Sequence, residues 1–102
     1  MDDIDKLDVS RCKHVTDIYK IRYSDIDFNK HMINSKYIEM VINSIPEKLF
    51  NEFQVSSLQI NFLAESKMGD ELQVYSNQDH TVFKIVRHSD QKEVVHVALQ
   101  WN

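Results

Sequence analysis

Asp27, Asn29 and His31 occupy alternate positions in the run Tyr23-Ser24-Asp25-Ile26-Asp27-Phe28-Asn29-Lys30-His31-Met32-Ile33-Asn34-Ser35-Lys36-Tyr37, directly ahead of a segment that reads as a buried helix. Alternate residues of an extended segment point the same way, so one carboxylate, one amide and one imidazole can face a common point. An imidazole moves protons near neutral pH, a carboxylate accepts or orients them, and an amide holds a water or a carbonyl. The same residue types also have a plain structural use. Asp and Asn ahead of a helix form turns and caps, and a His near a helix start is often a satisfied or surface residue. On residue types alone both readings stand, and Asp25 reads as a residue that shapes the loop.

The elements that must position these groups follow from periodicity. One Gly and one Pro in 102 residues imply long elements and few glycine turns. Residues 16–23 alternate, with Tyr19, Ile21 and Tyr23 on one side and Lys20 and Arg22 on the other, which predicts a half-buried strand. Residues 35–45 are apolar nearly all round, which predicts a helix enclosed by the fold, with Asn34 or Ser35 as its cap. Pro46 suits the first turn of a short helix over 46–53, with Leu49, Phe50 and Phe53 as its apolar face. The period then switches to two. Leu58, Ile60, Phe62 and Ala64 form one row, Leu72 and Val74 follow a turn at Gly69-Asp70, and strands are expected over 81–88 and 93–101.

Short polar connections favour antiparallel neighbours. An 11-residue helix is roughly 16 Å long and a strand of that length roughly 36 Å, so the strands outrun the helix and can curl around it. The expected fold class is therefore α+β, a five-stranded antiparallel sheet wrapped on a central helix. Residues 1–14, rich in aspartate, read as an exposed lead-in, and residues 15–102 as one domain.

Composition narrows the function classes. A 42% hydrophobic chain of 102 residues has room for one core. A net charge of −4 argues against general nucleic-acid affinity. No stretch approaches the ~18–20 apolar residues of a membrane span and no leader is visible, which gives an expected cytoplasmic location without membrane contact. Cys12 is the single cysteine, so no intrachain disulfide forms, and it has no partner base nearby. His80, His88 and His96 fall on different expected strands or turns without metal-ligand spacing, and Gly69 stands alone, so no metal, phosphate loop or cofactor is implied.

The run from Tyr23 to Tyr37 resembles the second-half motif of the acyl-[acyl-carrier-protein] thioesterases, a hotdog-fold family of plants and bacteria. The resemblance implies the hotdog fold for the wrapped sheet. It also implies that Asp27, Asn29 and His31 are site residues, together with Glu65 at the end of Leu58-Gln59-Ile60-Asn61-Phe62-Leu63-Ala64-Glu65. By default Glu65 would be a solvated strand end. In many plant members a cysteine follows the acidic residue. Here it is Ser66, which removes a thiol mechanism at that position and leaves a water-based one.

Thioester hydrolysis explains the use of such a set. The developing oxyanion can be met by N–H groups at the start of the helix, and a water must be deprotonated. Glu65 is the candidate base, since a carboxylate in a partly dry site becomes more basic. Asn29 would orient the water or carbonyl, His31 would share proton transfer or align Glu65, and Asp27 would hold Asn29 or His31. The implied partner is an acidic carrier protein bearing a fatty acyl group on a phosphopantetheine arm, which Lys30, Lys36 and Lys67 could meet. Members usually carry two hotdog halves, so the resemblance implies a homodimer or a separate N-terminal half. The other readings are a non-catalytic acyl-binding or dimerisation module and an acyl-CoA thioesterase.

Overall fold

The period-two segments pair into one sheet. In a computed structural model that describes residues 7–102, the order is β1 (His14–Lys20), a 3-10 turn (Tyr23–Asp25), α1 (Asn34–Asn43), α2 (Glu47–Glu52), β2 (Val55–Phe62), β3 (Glu71–Ser76), β4 (Val82–Arg87) and β5 (Lys92–Trp101). The strands lie side by side as β1-β3-β4-β5-β2, and every neighbouring pair is antiparallel. The α+β expectation holds.

Register explains the core. Val74 lies opposite Ile85, Ile85 opposite Val95, and Phe83 opposite Val97, so their side chains form a continuous surface on one face. All five are fully buried, as is Leu72, and Tyr37, Met40 and Val41 of α1 pack against them. At roughly 1.5–3 kcal/mol per buried large apolar side chain, this row is the main source of the sheet's cohesion.

Local interactions redraw several expected edges. The first strand stops at Lys20, because Ile21 is held by Gly69 and Asp70 (both N–O distances 3.0 Å) while the Asp25 carboxylate draws in the Arg22 N–H. Tyr23 therefore enters a tight turn and is 78% exposed rather than completing an inward row. Helix α1 buries one face only, at the i, i+3, i+4 positions 37, 40 and 41, and leaves Ile42 exposed. Neither Asn34 nor Ser35 caps it. Ile33 holds the cap position without a side-chain bond, since its N–H donates to the Asp25 carbonyl at 2.8 Å and fixes where the helix begins.

The lead-in also departs from expectation. Its residues 1–6 lie outside the described residues, and within 7–14 Cys12 is buried with Sγ 3.2 Å from the Val82 carbonyl. Burial pushes the Cys12 thiol pKa up, which makes it less reactive. In β2, Leu58 and Phe62 stay 40% and 44% exposed, because β2 closes one side of the sheet and has β5 as its neighbour.

Candidate active site

Asp27 builds its own loop. Its Oδ1 accepts the N–H groups of Asn29 (2.9 Å) and His31 (3.2 Å), and its backbone is closed by Asp27 N–H to His31 carbonyl and Lys30 N–H to Asp27 carbonyl bonds, both 2.9 Å. Lys30 takes a left-handed φ of 65° to complete the turn. Residues 27–31 are thus a tight turn and not the extended segment that alternation suggested. Local side-chain hydrogen bonds outcompete the strand geometry. As a result Asp27 and His31 line a shared cavity, whereas Asn29 is exposed and does not line it.

The turn is stitched to the chain after β2. His31 and Lys67 form an antiparallel bridge, and the Met32 N–H donates to the Ser66 carbonyl at 2.8 Å. This backbone pairing brings Glu65 across the cavity mouth, where its Oε1 lies 3.3 Å from His31 Nδ1. The cavity has a volume of about 510 Å³ and is lined by Asp27, His31 and Glu65 together with Asn34, Tyr37 and Phe62. The Tyr37 and Phe62 rings meet edge to face at 6.1 Å and form its apolar wall. Asn34 opens α1 and lines the cavity, so the positive end of the helix dipole lies beside it, although the Lys36 N–H is already given to the Ile33 carbonyl at 2.9 Å.

The two titratable side chains differ in shelter. The His31 side chain is 36% exposed and that of Glu65 72%, so both are open to solvent at the cavity. Ser66 next door is fully buried, and among the described residues its Oγ has no hydrogen-bond partner. Burial pushes the Tyr37 phenol pKa up while the nearby Ser66 hydroxyl and N–H pull it down, although no well-formed bond reaches Ser66 Oγ.

On the other side of the same loop Asp25 is buried and held by neighbouring donors. It accepts the Tyr19 hydroxyl at 2.6 Å and the Arg22 N–H at 2.9 Å, with Lys36 Nζ 3.9 Å away. Burial pushes its pKa up, but Tyr19, the Arg22 N–H and Lys36 together outweigh that and leave it lowered. Lys36 also reaches Glu39 at 3.8 Å, so it belongs to the helix and loop and is less available to a partner than Lys30 or Lys67. His96 is likewise engaged, at 2.7 Å from Glu93, and that bond lowers the Glu93 pKa.

Sequence reasoning overlooked two contributors. In the sequence Tyr37 reads as one more apolar residue of the helix. Arg87 went unremarked, although its Nη1 donates to the Glu65 carbonyl at 2.7 Å. The available signal was its phase, since Phe83, Ile85 and Arg87 alternate in β4 and put a cation in line with core residues.

A family model described as the acyl-ACP thioesterase C-terminal domain matches residues 10–102. The chain belongs to that family. Among curated proteins it is 29% identical over 68 residues to a chloroplastic dodecanoyl-[acyl-carrier-protein] hydrolase of Cinnamomum camphora, covering 67% of this chain and 18% of that protein. It is 32% identical over 68 residues to a chloroplastic palmitoyl-acyl carrier protein thioesterase of Gossypium hirsutum, covering 67% and 16%. The chain thus spans less than a fifth of the length of these curated relatives. A crystal structure of an acyl-ACP thioesterase from Bacteroides thetaiotaomicron aligns with a TM-score of 0.79 at 24% identity, over 91% of this chain and 41% of that one. The sheet and helix are therefore a hotdog fold, as the resemblance implied.

Proposed function

We propose that this domain hydrolyses fatty acyl-[acyl-carrier-protein] to free fatty acid and carrier protein by a water-based mechanism. The observation that carries the proposal is the 3.3 Å contact between His31 Nδ1 and Glu65 Oε1 at the mouth of a cavity that the start of α1 also lines. Glu65 takes a proton from water, and the water oxygen attacks the thioester carbonyl carbon. The oxyanion that forms is met by first-turn N–H groups of α1. Collapse breaks the C–S bond, and the departing thiolate of the carrier's arm takes back a proton through His31 or Glu65. Asp27 holds the His31 backbone. Asn29, at the exposed crest, meets the thioester only when a partner covers the loop.

Family membership supports the activity, and the shortness of the matched region supports a need for a second hotdog unit, either another copy of this chain or an N-terminal half. The exposed apolar residues Val55, Leu58 and Phe62 of β2, with Leu63 just after it, offer such a unit a surface beside the cavity. That same openness favours the second reading, a separated half or acyl-binding module that holds a ligand without cutting it. Lys30 and Lys67 are exposed near the mouth and suit an acidic carrier. Presentation of the thioester by coenzyme A instead would use the same chemistry. A cytoplasmic location belongs to the proposal, and cell fractionation checks it. Among the described residues, no helix is long and apolar enough to cross a membrane.

The test is turnover of a fatty acyl-carrier-protein series by the protein, beside Glu65→Ala and His31→Ala. A fall of ~100-fold or more in both folded variants is the expected result. Turnover indifferent to both changes contradicts the site. Carrier binding without turnover by a folded dimer supports the module.

A further inference from the structure

Arg87 is the last residue of β4 and lies opposite Leu72, on the face that carries the core. A cation in that row is costly unless its donors are used, and here three of them are. Nε and Nη2 donate to the two carboxylate oxygens of Asp90 at 2.9 and 2.7 Å, a planar fork that fixes the guanidinium. Nη1 then points away from Asp90 and donates to the Glu65 carbonyl at 2.7 Å. Glu65 has left β2 by this point, so it lacks a strand ladder to hold it in place. The neighbouring tethers are the Met32 N–H on the Ser66 carbonyl and the Ala64 N–H on the Val94 carbonyl at 3.2 Å. Arg87 supplies the one at Glu65 itself.

We propose that Arg87, clamped by Asp90, is a positioning residue for Glu65. The fork locks the guanidinium, the guanidinium locks the Glu65 carbonyl, and the Glu65 side chain is thereby held toward His31. This rests on the reading of Glu65 as the base. It adds that the geometry of that base is set from the turn between β4 and β5, through residues that do not touch the thioester. The same fork lowers the Asp90 pKa to about 2.

The experiment compares Arg87→Met, Arg87→Lys and Asp90→Asn with the parent in hydrolysis of a fatty acyl-carrier protein and in amide hydrogen exchange. Arg87→Met should lower kcat about tenfold or more with KM within about twofold, since small misplacement of a reacting group is costly. Arg87→Lys, which keeps one donor, should recover part of that loss, and Asp90→Asn should fall between. In the Glu65→Ala background Arg87→Met should cause no further loss, because its effect runs through Glu65. Exchange at the Met32 amide should quicken in Arg87→Met while amides of β3 hold their rates. Equal losses from Arg87→Met with and without Glu65, or unchanged Met32 exchange, would overturn the proposal. The exchange arm needs no turnover. A failure of the hydrolase reading shows instead as indifference to Glu65→Ala itself.

Discussion

Asp25 and Glu65 are two carboxylates that flank one loop, and the structure treats them in opposite ways. Asp25 is 2% exposed, its Oδ2 accepts from the Tyr19 hydroxyl and the Arg22 N–H, and Lys36 Nζ lies 3.9 Å from its Oδ1. Glu65 is 72% exposed and faces one imidazole. A carboxylate whose lone pairs are saturated by donors fixes a shape and is a poor base. A carboxylate held by its backbone, with its side chain left toward a cavity, keeps the capacity to take a proton. The difference gives the inner side of the loop a structural role, and it is on the outer side that we propose the chemistry.

That contrast can be broken on its inner side first, where the expected stability effects are largest. Asp25→Ala leaves the Tyr19 hydroxyl and the Arg22 N–H without their acceptor and should lower unfolding stability by about 2–3 kcal/mol. Urea unfolding followed by far-UV circular dichroism measures it. Tyr19→Phe removes one of those donors and should lower stability by about 1 kcal/mol in the same assay. A loss below a few tenths in both variants would mean that Asp25 is not the loop's anchor.

Acid sharpens the comparison further. The folded pKa values of Asp25 and Asp90 are both lowered below the ordinary 3.8. A depressed folded pKa gives stability that is present above the unfolded value and is lost as pH falls through the folded one. Urea midpoints should therefore hold from pH 6 down to about 4 and then drop, the Asp90 share fading toward pH 2. In Asp25→Asn and Asp90→Asn that drop should be shallower. A steeper drop in either variant would reverse the sign assigned to these groups.

The legibility of the sequence follows the same division. The core strands were readable because Leu72, Val74, Phe83 and Ile85 alternate and the register keeps that alternation on one face. The short helix after Pro46 and the hotdog class were readable too, the latter from the motif between Tyr23 and Tyr37. Where side chains bond to nearby backbone, periodicity misled. Asp27 closes a turn where alternation implied an extended run, and Asp25 ends the first strand early by drawing in Arg22. Arg87 is in phase with the core residues of β4, but what it holds is not legible, since Glu65 lies 22 positions away and meets it only through the tertiary fold. Cys12 looked like part of an exposed lead-in because its covering contact, the Val82 carbonyl, is 70 positions distant.

The most direct test sets Glu65→Gln beside Asp25→Asn and measures fatty acyl-carrier-protein hydrolysis and the urea midpoint on both. A crossed result is expected. Glu65→Gln should lose about 100-fold in kcat with its midpoint unchanged, while Asp25→Asn should unfold at lower urea and keep kcat within about tenfold of the parent. Parental turnover in Glu65→Gln, or a loss of kcat in Asp25→Asn as deep as that in Glu65→Gln, would contradict it.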